Sequence, residues 1–392
     1  MPLNTGDSIF LGHAANRYGD VPVRLGSADR LLHLYVIGQT GTGKSTLLGN
    51  LARQDAAAGR GFCLIDPHGD LAAELAETLD RPVRYWNVAD PAGRYGYNPL
   101  TPVTAEYRPL LASGLIDTLK RQWSDAWGAR MEHLLRYAIL ALLEYGRADL
   151  RDIVRLYVEK DFRRTVVGRV TDEQVYAFWT REFPNMNYQT AADGVAPIAN
   201  KLGAFLANPV LRRALSEPAE PLRFRSIMDA GDVLIVNLGK GRLGSDIANV
   251  MGGLIVSSIM HAAFSRHDQP TSERRPFFLY VDEFHNFTTG VLTSMLAETR
   301  KYGLGLTLAH QHTGQADRDV FEAVMGNVGT FIVFRVGASD APLFARQLGD
   351  VSERDLTYQP NHRAFAQIMV GGEKQPPFTL KTLPPDIAPH DG

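Results

Sequence analysis

Cysteine is nearly absent: Cys63 is the only thiol in 392 residues. One thiol forms no internal disulfide, so a disulfide-stapled secreted scaffold is excluded and a reducing compartment fits. An excess of one charge is absent as well. Lys and Arg total 41 against 43 Asp and Glu, for a net charge of −2. That excludes a histone-like polycation but leaves nucleic acid open. A ring of subunits needs only one or two phosphate contacts from each member to reach a steep salt dependence. Gly (36) and Pro (22) are ordinary in number, and 45% of residues are hydrophobic. Collagen, coiled-coil rods and disordered chains are thereby excluded. Met1 to Asp7 (MPLNTGD) has no basic stretch before an apolar core, so no signal peptide is expected. The longest uncharged run, Ile247 to Phe264, is near the minimum for a membrane span. It contains Asn249, Ser257, Ser258 and His261, and is read as a core helix with one polar face. A cytoplasmic location is expected, with membrane association only through partners.

What is present is a sizeable chain, enough for two or three domains at about 150 residues each. Residues 1–30 read as a short β segment punctuated by glycines. Leu31–Ile37 and Gly61–Ile65 read as buried strands, with a helix from Ser45 to Ala58 between them. A helix at Leu71–Leu79 and a strand at Val83–Val88 follow. Strand–helix alternation implies a parallel sheet. Near Asn98-Pro99 the period becomes helical. Met131, Leu134, Leu135, Ala138 and Leu142 share one face of a helix over Ala129–Tyr145. Further helices are expected at Leu150–Glu159, Glu173–Glu182, Ala191–Leu206 and Pro209–Leu215. The α/β pattern resumes with strands at Asp232–Leu238, Phe277–Val281, Leu304–Leu308 and Thr330–Arg335, and a helix at Val291–Tyr302. The expected division is 1–30, a short β segment; 31–100 plus 221–375, an α/β domain with a mostly parallel central sheet; 101–220, an inserted all-α domain; and 376–392, a Pro-rich tail.

One motif fixes the chemistry. Gly38-Gln-Thr40-Gly41-Thr42-Gly43-Lys44-Ser45-Thr46 fits G-x-x-x-x-G-K-[ST] between an apolar strand and a helix. Its glycines let successive backbone N–H groups face phosphate oxygens, and the helix N-terminus adds its dipole. Lys44 would reach the outer phosphates and the Ser45 hydroxyl would ligate Mg²⁺. ATP and Mg²⁺ are the expected cofactors. The strand Phe277–Val281 ends in Asp282-Glu283. Asp282 is the expected metal-side ligand, and Glu283 can polarise an attacking water, which suggests hydrolysis rather than binding alone. Asp66, at the end of the second strand, competes for the metal role.

With LIDPHGDL (Leu64–Leu71), YVDEFHNF (Tyr280–Phe287) and ETRKYGLGLTLAHQ (Glu298–Gln311), the chain resembles the HerA/FtsK superfamily of RecA-like motors. It is most similar to the conjugative coupling-protein (TraG-like) and type IV secretion ATPase branch. The resemblance implies a RecA-like P-loop NTPase fold. It implies hexameric rings with ATP at subunit interfaces, an arginine finger at Arg300, and a γ-phosphate sensor at Gln311. Lys301, next to Arg300, stays an alternative finger. The resemblance also implies a motor translocating DNA in conjugation or type IV secretion, partnered by components of that machinery. Three alternatives share these residues: a secretion ATPase moving protein or pilus subunits, a HerA-like DNA-processing translocase, and a non-translocating nucleotide switch.

Weaker signals are read as structural. The basic glycine loop Asn237–Gly244 reads as a strand–helix turn, and the charged stretch Arg147–Arg169 as a solvated helical surface. Trp123, Trp127 and Trp179 read as core anchors, and His310, His312 and Cys63 have the wrong spacing for zinc.

Overall fold

The computed structural model describes residues 7–16, 19–125, 127–186, 188–216, 218–287 and 290–384. The chain divides into two compact units, Met1–Tyr85 with Arg225–Leu238 and Ala262–Gly392, and Trp86–Phe224 with Gly239–His261.

The first unit is built on an 11-stranded sheet. Its strands in chain order are β1 (Ser8–Asn16), β2 (Gly19–Gly26), β3 (Leu34–Ile37), β4 (Gly61–Asp66), β5 (Val83–Asn87), β6 (Val233–Asn237), β7 (Phe277–Val281), β8 (Leu304–His310), β9 (Thr330–Val333), β10 (Arg363–Gln367) and β11 (Phe378–Lys381). Their spatial order is β2-β1-β11-β10-β9-β3-β8-β7-β4-β6-β5. From β9 to β6 every pairing is parallel. β10, β11, β1 and β2 add on antiparallel. Parallel strands are covered on both faces and so read as unbroken apolar runs; β7 (FFLYV) and β4 (GFCLID) are buried at every position. Alternate residues of these strands, Leu34 and Val36, Phe62 and Leu64, Phe278 and Tyr280, form one core with helices α1 (Lys44–Ala57) and α2 (Asp70–Thr78).

Three departures from the expected elements have local causes. β3 begins at Leu34 rather than Leu31 because Ser27–Arg30 makes a helical turn and His33 adopts a left-handed backbone, φ 67°. The His33 ring is buried between β8 and the helix Gly290–Glu298, accepting from Leu306 N through Nδ1 and meeting Leu296 O through Nε2. The helix expected to reach Tyr302 stops at Glu298, and Thr299–Tyr302 is a 3₁₀ turn. Part of the Pro-rich tail is structural: Phe378–Lys381 alternates apolar and polar residues and buries Leu380 within the sheet. Residues 385–392 of that tail lie outside the described residues.

The second unit is helical, as its periodicity implies. A two-residue parallel ladder joins Tyr95–Gly96 to Glu220–Pro221, clasping the two ends of the helical stretch. Gly96 allows this closeness, since a Cβ there would collide with the Ala214 carbonyl. Trp86, near the end of β5, opens the stretch 86–100 that groups with this unit, where Trp86 and Tyr97 pack edge to face and Tyr97 packs in turn on Phe224. Within it lie α3 (Arg108–Gln122), α4 (Ala129–Tyr145) and most of α5 (Ser245–Phe264). α5 is long and apolar enough to cross a membrane, yet 72% of its most apolar window is buried inside the protein. It lies close against α3, where a Cβ on Gly253 would come within 2.8 Å of Thr118. Along Arg147–Arg169 the charges pair with one another: Arg151 with Asp149, Arg155 with Asp152 and Glu159, Arg164 with Asp161. Trp123 and Trp179 are buried, and half-buried Trp127 donates to Glu132.

One buried charge cluster anchors α1 to the sheet. Asp55 accepts both Nη atoms of Arg30 at 2.7 Å, Arg60 Nε at 2.7 Å and the Tyr280 hydroxyl at 2.5 Å. Burial alone would raise its carboxyl pKa, but Arg30 and Arg60 hold it below the usual range. Arg30 also stacks on the Phe278 ring, 3.4 Å from its centroid. Asp55→Ala leaves a buried guanidinium without its counter-ion, so a loss of about 3–5 kcal/mol is expected in denaturant unfolding. The carboxylate's contribution is present at neutral pH and is lost as pH falls through its depressed folded-state value.

Candidate nucleotide site

The site occupies the carboxyl edge of the parallel strands, where crevices form outside an open α/β sheet. Gly38–Gly43 leads from β3 into α1. Gly41 and Gly43 have φ of 76° and 115°, in the left-handed region that favours glycine. Gly38 is required by space, since a Cβ there would lie 2.5 Å from that of Phe334. No side chain caps α1, so its first-turn N–H groups are directed to whatever occupies the loop. Lys44 is buried and folds back, donating to Gly38 O at 2.7 Å and Gln39 O at 3.2 Å. Burial lowers its pKa, and Glu283 and Asp282 oppose that shift.

β7 ends two strands away and delivers the carboxylates. Asp282 accepts from Ser45 Oγ at 3.2 Å through Oδ2 and from Glu283 N at 3.0 Å through Oδ1. Burial, with Glu283 and Asp66 nearby, pushes its pKa up to about 6. Glu283 has φ 46°, a left-handed conformation unusual for glutamate, held by Asn286, whose N and Nδ2 both donate to Glu283 O. β8 lies between β3 and β7, and Gln311 follows its last residue, His310. Gln311 Nε2 donates to Glu283 Oε1 at 2.8 Å, and Thr40 Oγ1 donates to Gln311 Oε1 at 3.0 Å. A continuous chain therefore runs from the phosphate loop to the carboxylate. Glu283 Oε2 lies 3.3 Å from His285 Nδ1. Behind it His310 is buried against Tyr35, Oη to Nε2 at 2.5 Å, and burial drives its pKa down to about 3.

A cleft of about 340 Å³ is lined by Thr40, Gly41, Gly43, Lys44, Ser45, Thr46, Asp282, Glu283 and Gln311. His68 and His362 complete the lining. Neither histidine was singled out from the sequence. His68 had a usable signal, because it follows a strand end inside LIDPHGDL. His362 had none, because only the antiparallel return of β10 brings it to the loop. Asp66 does not line the cleft. Its carboxylate accepts from His68 N at 2.9 Å and Ala72 N at 3.0 Å, holding the turn into α2. Arg300 and Lys301 lie away from it too, before the start of β8, with Gln311 after its end. Seven residues of strand separate the two by roughly 20 Å. Arg300 is exposed, and exposed Lys301 pairs with Glu298 at 2.9 Å.

The donor set fits a magnesium-bound triphosphate. One hydroxyl and one carboxylate face each other, which is what Mg²⁺ takes when phosphates and water fill its other positions. Glu283, the next residue and part of the same cleft lining, is a carboxylate of the kind that can polarise a water. The raised Asp282 pKa gives a stability prediction. A buried carboxyl with a folded pKa near 6 costs stability when ionised, so the penalty builds as pH rises from the unfolded value of about 4 to about 6 and stays constant above that. Asp282→Asn, with Oδ1 accepting from Glu283 N and Nδ2 donating to Ser45 Oγ, is expected to stabilise the nucleotide-free protein at pH 7.5. The gain, of order 1–3 kcal/mol, shrinks towards pH 5, as measured by thermal melts across pH.

Residues 9–240 match the family described as "Helicase HerA, central domain". No curated protein matches the sequence. Among solved structures, the bacterial conjugative coupling protein TrwBdeltaN70 superposes with TM-score 0.66 at 18% identity, covering 92% of this chain and 87% of that one. The plasmid coupling protein TrwB with a non-hydrolysable ATP analogue gives 0.64 at 18%, covering 91% and 86%. VirB4 of Thermoanaerobacter pseudethanolicus gives 0.67 at 15%, covering 97% of both chains. These likenesses share the RecA-like P-loop architecture already visible in the strand order and the loop. With more than half of its length matched, the chain belongs to the HerA central-domain family.

Proposed function

We propose that the chain is an ATP-hydrolysing motor of the type IV secretion kind, working as a ring that translocates DNA. The observation that carries the hydrolytic reading is the hydrogen-bonded chain Thr40–Gln311–Glu283 beside the Ser45–Asp282 pair. It joins the loop that would hold the phosphates to a carboxylate able to act on water. Mg²⁺ supplies charge neutralisation between the outer phosphates when bound. Lys44 exchanges its two loop carbonyls for phosphate oxygens, Ser45 and Asp282 hold the metal side, and Gln311 orients Glu283 and reports the outer phosphate. A nucleotide switch needs no general base, so the placement of Glu283 favours turnover. The structural likeness to conjugative coupling protein TrwB favours DNA as the cargo.

Arg300 supports the ring. It sits at the sheet edge away from its own chain's cleft, as a residue serving a neighbour's cleft must. Such a finger is worth about 10³–10⁵ in rate.

Steady-state ATP hydrolysis across protein concentration, with and without single- and double-stranded DNA, tests the reading. Turnover is expected to rise cooperatively with concentration, to be stimulated by DNA, and to fall at least about 10²-fold in Glu283→Gln. Turnover indifferent to DNA redirects the assignment to protein or pilus-subunit movement. Absent turnover in the wild-type protein overturns it. A mixing experiment tests the shared site. Arg300→Ala and Glu283→Gln are each expected to be nearly inactive, and their mixture to regain activity, since some sites pair an intact Glu283 with an intact Arg300. No recovery on mixing rejects Arg300 as a finger acting in trans.

A further inference from the structure

His362 stands out by its backbone and by its place. Its φ is 59°, one of three positive values at non-glycine positions among the described residues. A histidine held there costs of order 1 kcal/mol or more and persists only where its surroundings enforce it. Here they do. His362 N donates to Thr42 O at 2.8 Å inside the phosphate loop, and His362 O accepts from Thr382 N at 2.9 Å. The approach is held from a second side, where Arg335 O accepts from Gln39 N at 2.8 Å and Arg335 Nη1 donates to Gln359 O at 3.0 Å. The segment 359–362 is thus fastened to the loop that receives phosphates.

The imidazole uses a space that glycine leaves. A Cβ on Gly43 would stand 2.8 Å from His362 Nδ1. Nδ1 is buried and has no hydrogen-bond partner among the described residues, while the ring as a whole is half-buried and lines the cleft. A neutral structural plug would not need a polar atom at that place.

Strand order says which part of a nucleotide the ring meets. Along the carboxyl edge stand Asp282 and Glu283 after β7, Gln311 after β8, Gly38 after β3, Arg335 beyond β9 and His362 before β10. The metal and the outermost phosphate belong to the β7–β8 side, where the carboxylates are. The other end of the ligand must leave towards β9 and β10. Resting on the ATP reading above, we propose that His362 contacts the nucleoside, closing the β10 side of the cleft against ribose and base, and so sets affinity for nucleotides over bare phosphates.

The test is calorimetric binding of magnesium-ADP and magnesium-pyrophosphate to the full chain. The proteins are wild type, His362→Asn and Lys44→Ala. Asn accepts a left-handed backbone, so His362→Asn should fold, with a melting temperature near that of wild type. His362→Asn is expected to weaken ADP about tenfold, the size of one lost ligand hydrogen bond, and to leave pyrophosphate within about twofold. Lys44→Ala should weaken both. Unchanged ADP binding in His362→Asn, with Lys44→Ala impaired, overturns the role of His362 and leaves the ATP reading standing. Equal losses for ADP and pyrophosphate also overturn it, because the ring then acts through the loop. Failure of the wild-type protein to bind either ligand sinks the ATP reading itself.

Discussion

The structure depends on one register, that of β8 between β3 and β7. Thr307 to His310 pair with Leu34 to Ile37 on one side, and Leu304 to Leu308 pair with Phe277 to Val281 on the other. Because all three strands run parallel, their carboxyl ends open on one line, and Gln311 falls between Thr40 and Glu283. Side chains alternate along a strand, so a slip of one residue would turn His310 outward and Gln311 inward. The register is well defended. His33 bonds to β8 through Leu306 N, Tyr35 meets His310, and Arg30, Asp55 and Tyr280 tie β7 to α1. Polar groups buried at such cost act chiefly by permitting a single arrangement, since any slip leaves them unpaired.

The same line of residues concentrates charge. Asp282 and Glu283 are adjacent, both buried, and face one buried lysine. Without nucleotide this set is tense: burial raises the Asp282 pKa, and Lys44 turns to its own loop's carbonyls. A bound magnesium–triphosphate would relieve both, giving Asp282 a cation and Lys44 an anion. Binding energy would then be drawn from local strain as well as from new contacts. That strain is stored where the chemistry would occur, as the left-handed backbone of Glu283 also indicates.

Legibility followed the distance over which information had to travel. The phosphate loop, Asp282-Glu283 and the apolar strands are local patterns, and residue order alone reveals them. Gln311 could be placed because it ends an apolar strand in register after the Asp-Glu pair. His33 was hidden inside an apolar run, where a left-handed residue shortened β3 without any glycine to announce it. Phe378–Lys381 was masked by surrounding prolines, although one face of a sheet needs only two apolar residues from so short a strand. The compact units differ from the expected 101–220 division in taking residues 86–100 and most of α5 into the helical unit; α5 reads as apolar all along, and the sequence does not say which core takes it. His362 was invisible because its role comes from a chain reversal far from the loop it touches.

Arg300 shows how a position that looks inert within one chain can be informative. Among the described residues lining the cleft, Lys44 is the sole Lys or Arg. Two carboxylates stand beside it, so the cleft itself has little positive charge to set against phosphate oxygens whose charge shifts during transfer. Bound Mg²⁺ would supply part of the deficit, with Ser45 and Asp282 placed to hold it. Under the ring reading proposed above, Arg300, exposed before the start of β8 and remote from its own chain's cleft, would supply that charge to a neighbour. The lone lysine and the remote arginine are thus the two observations on which the proposed shared site rests: a cleft with one cation, and a cation far from its own chain's cleft.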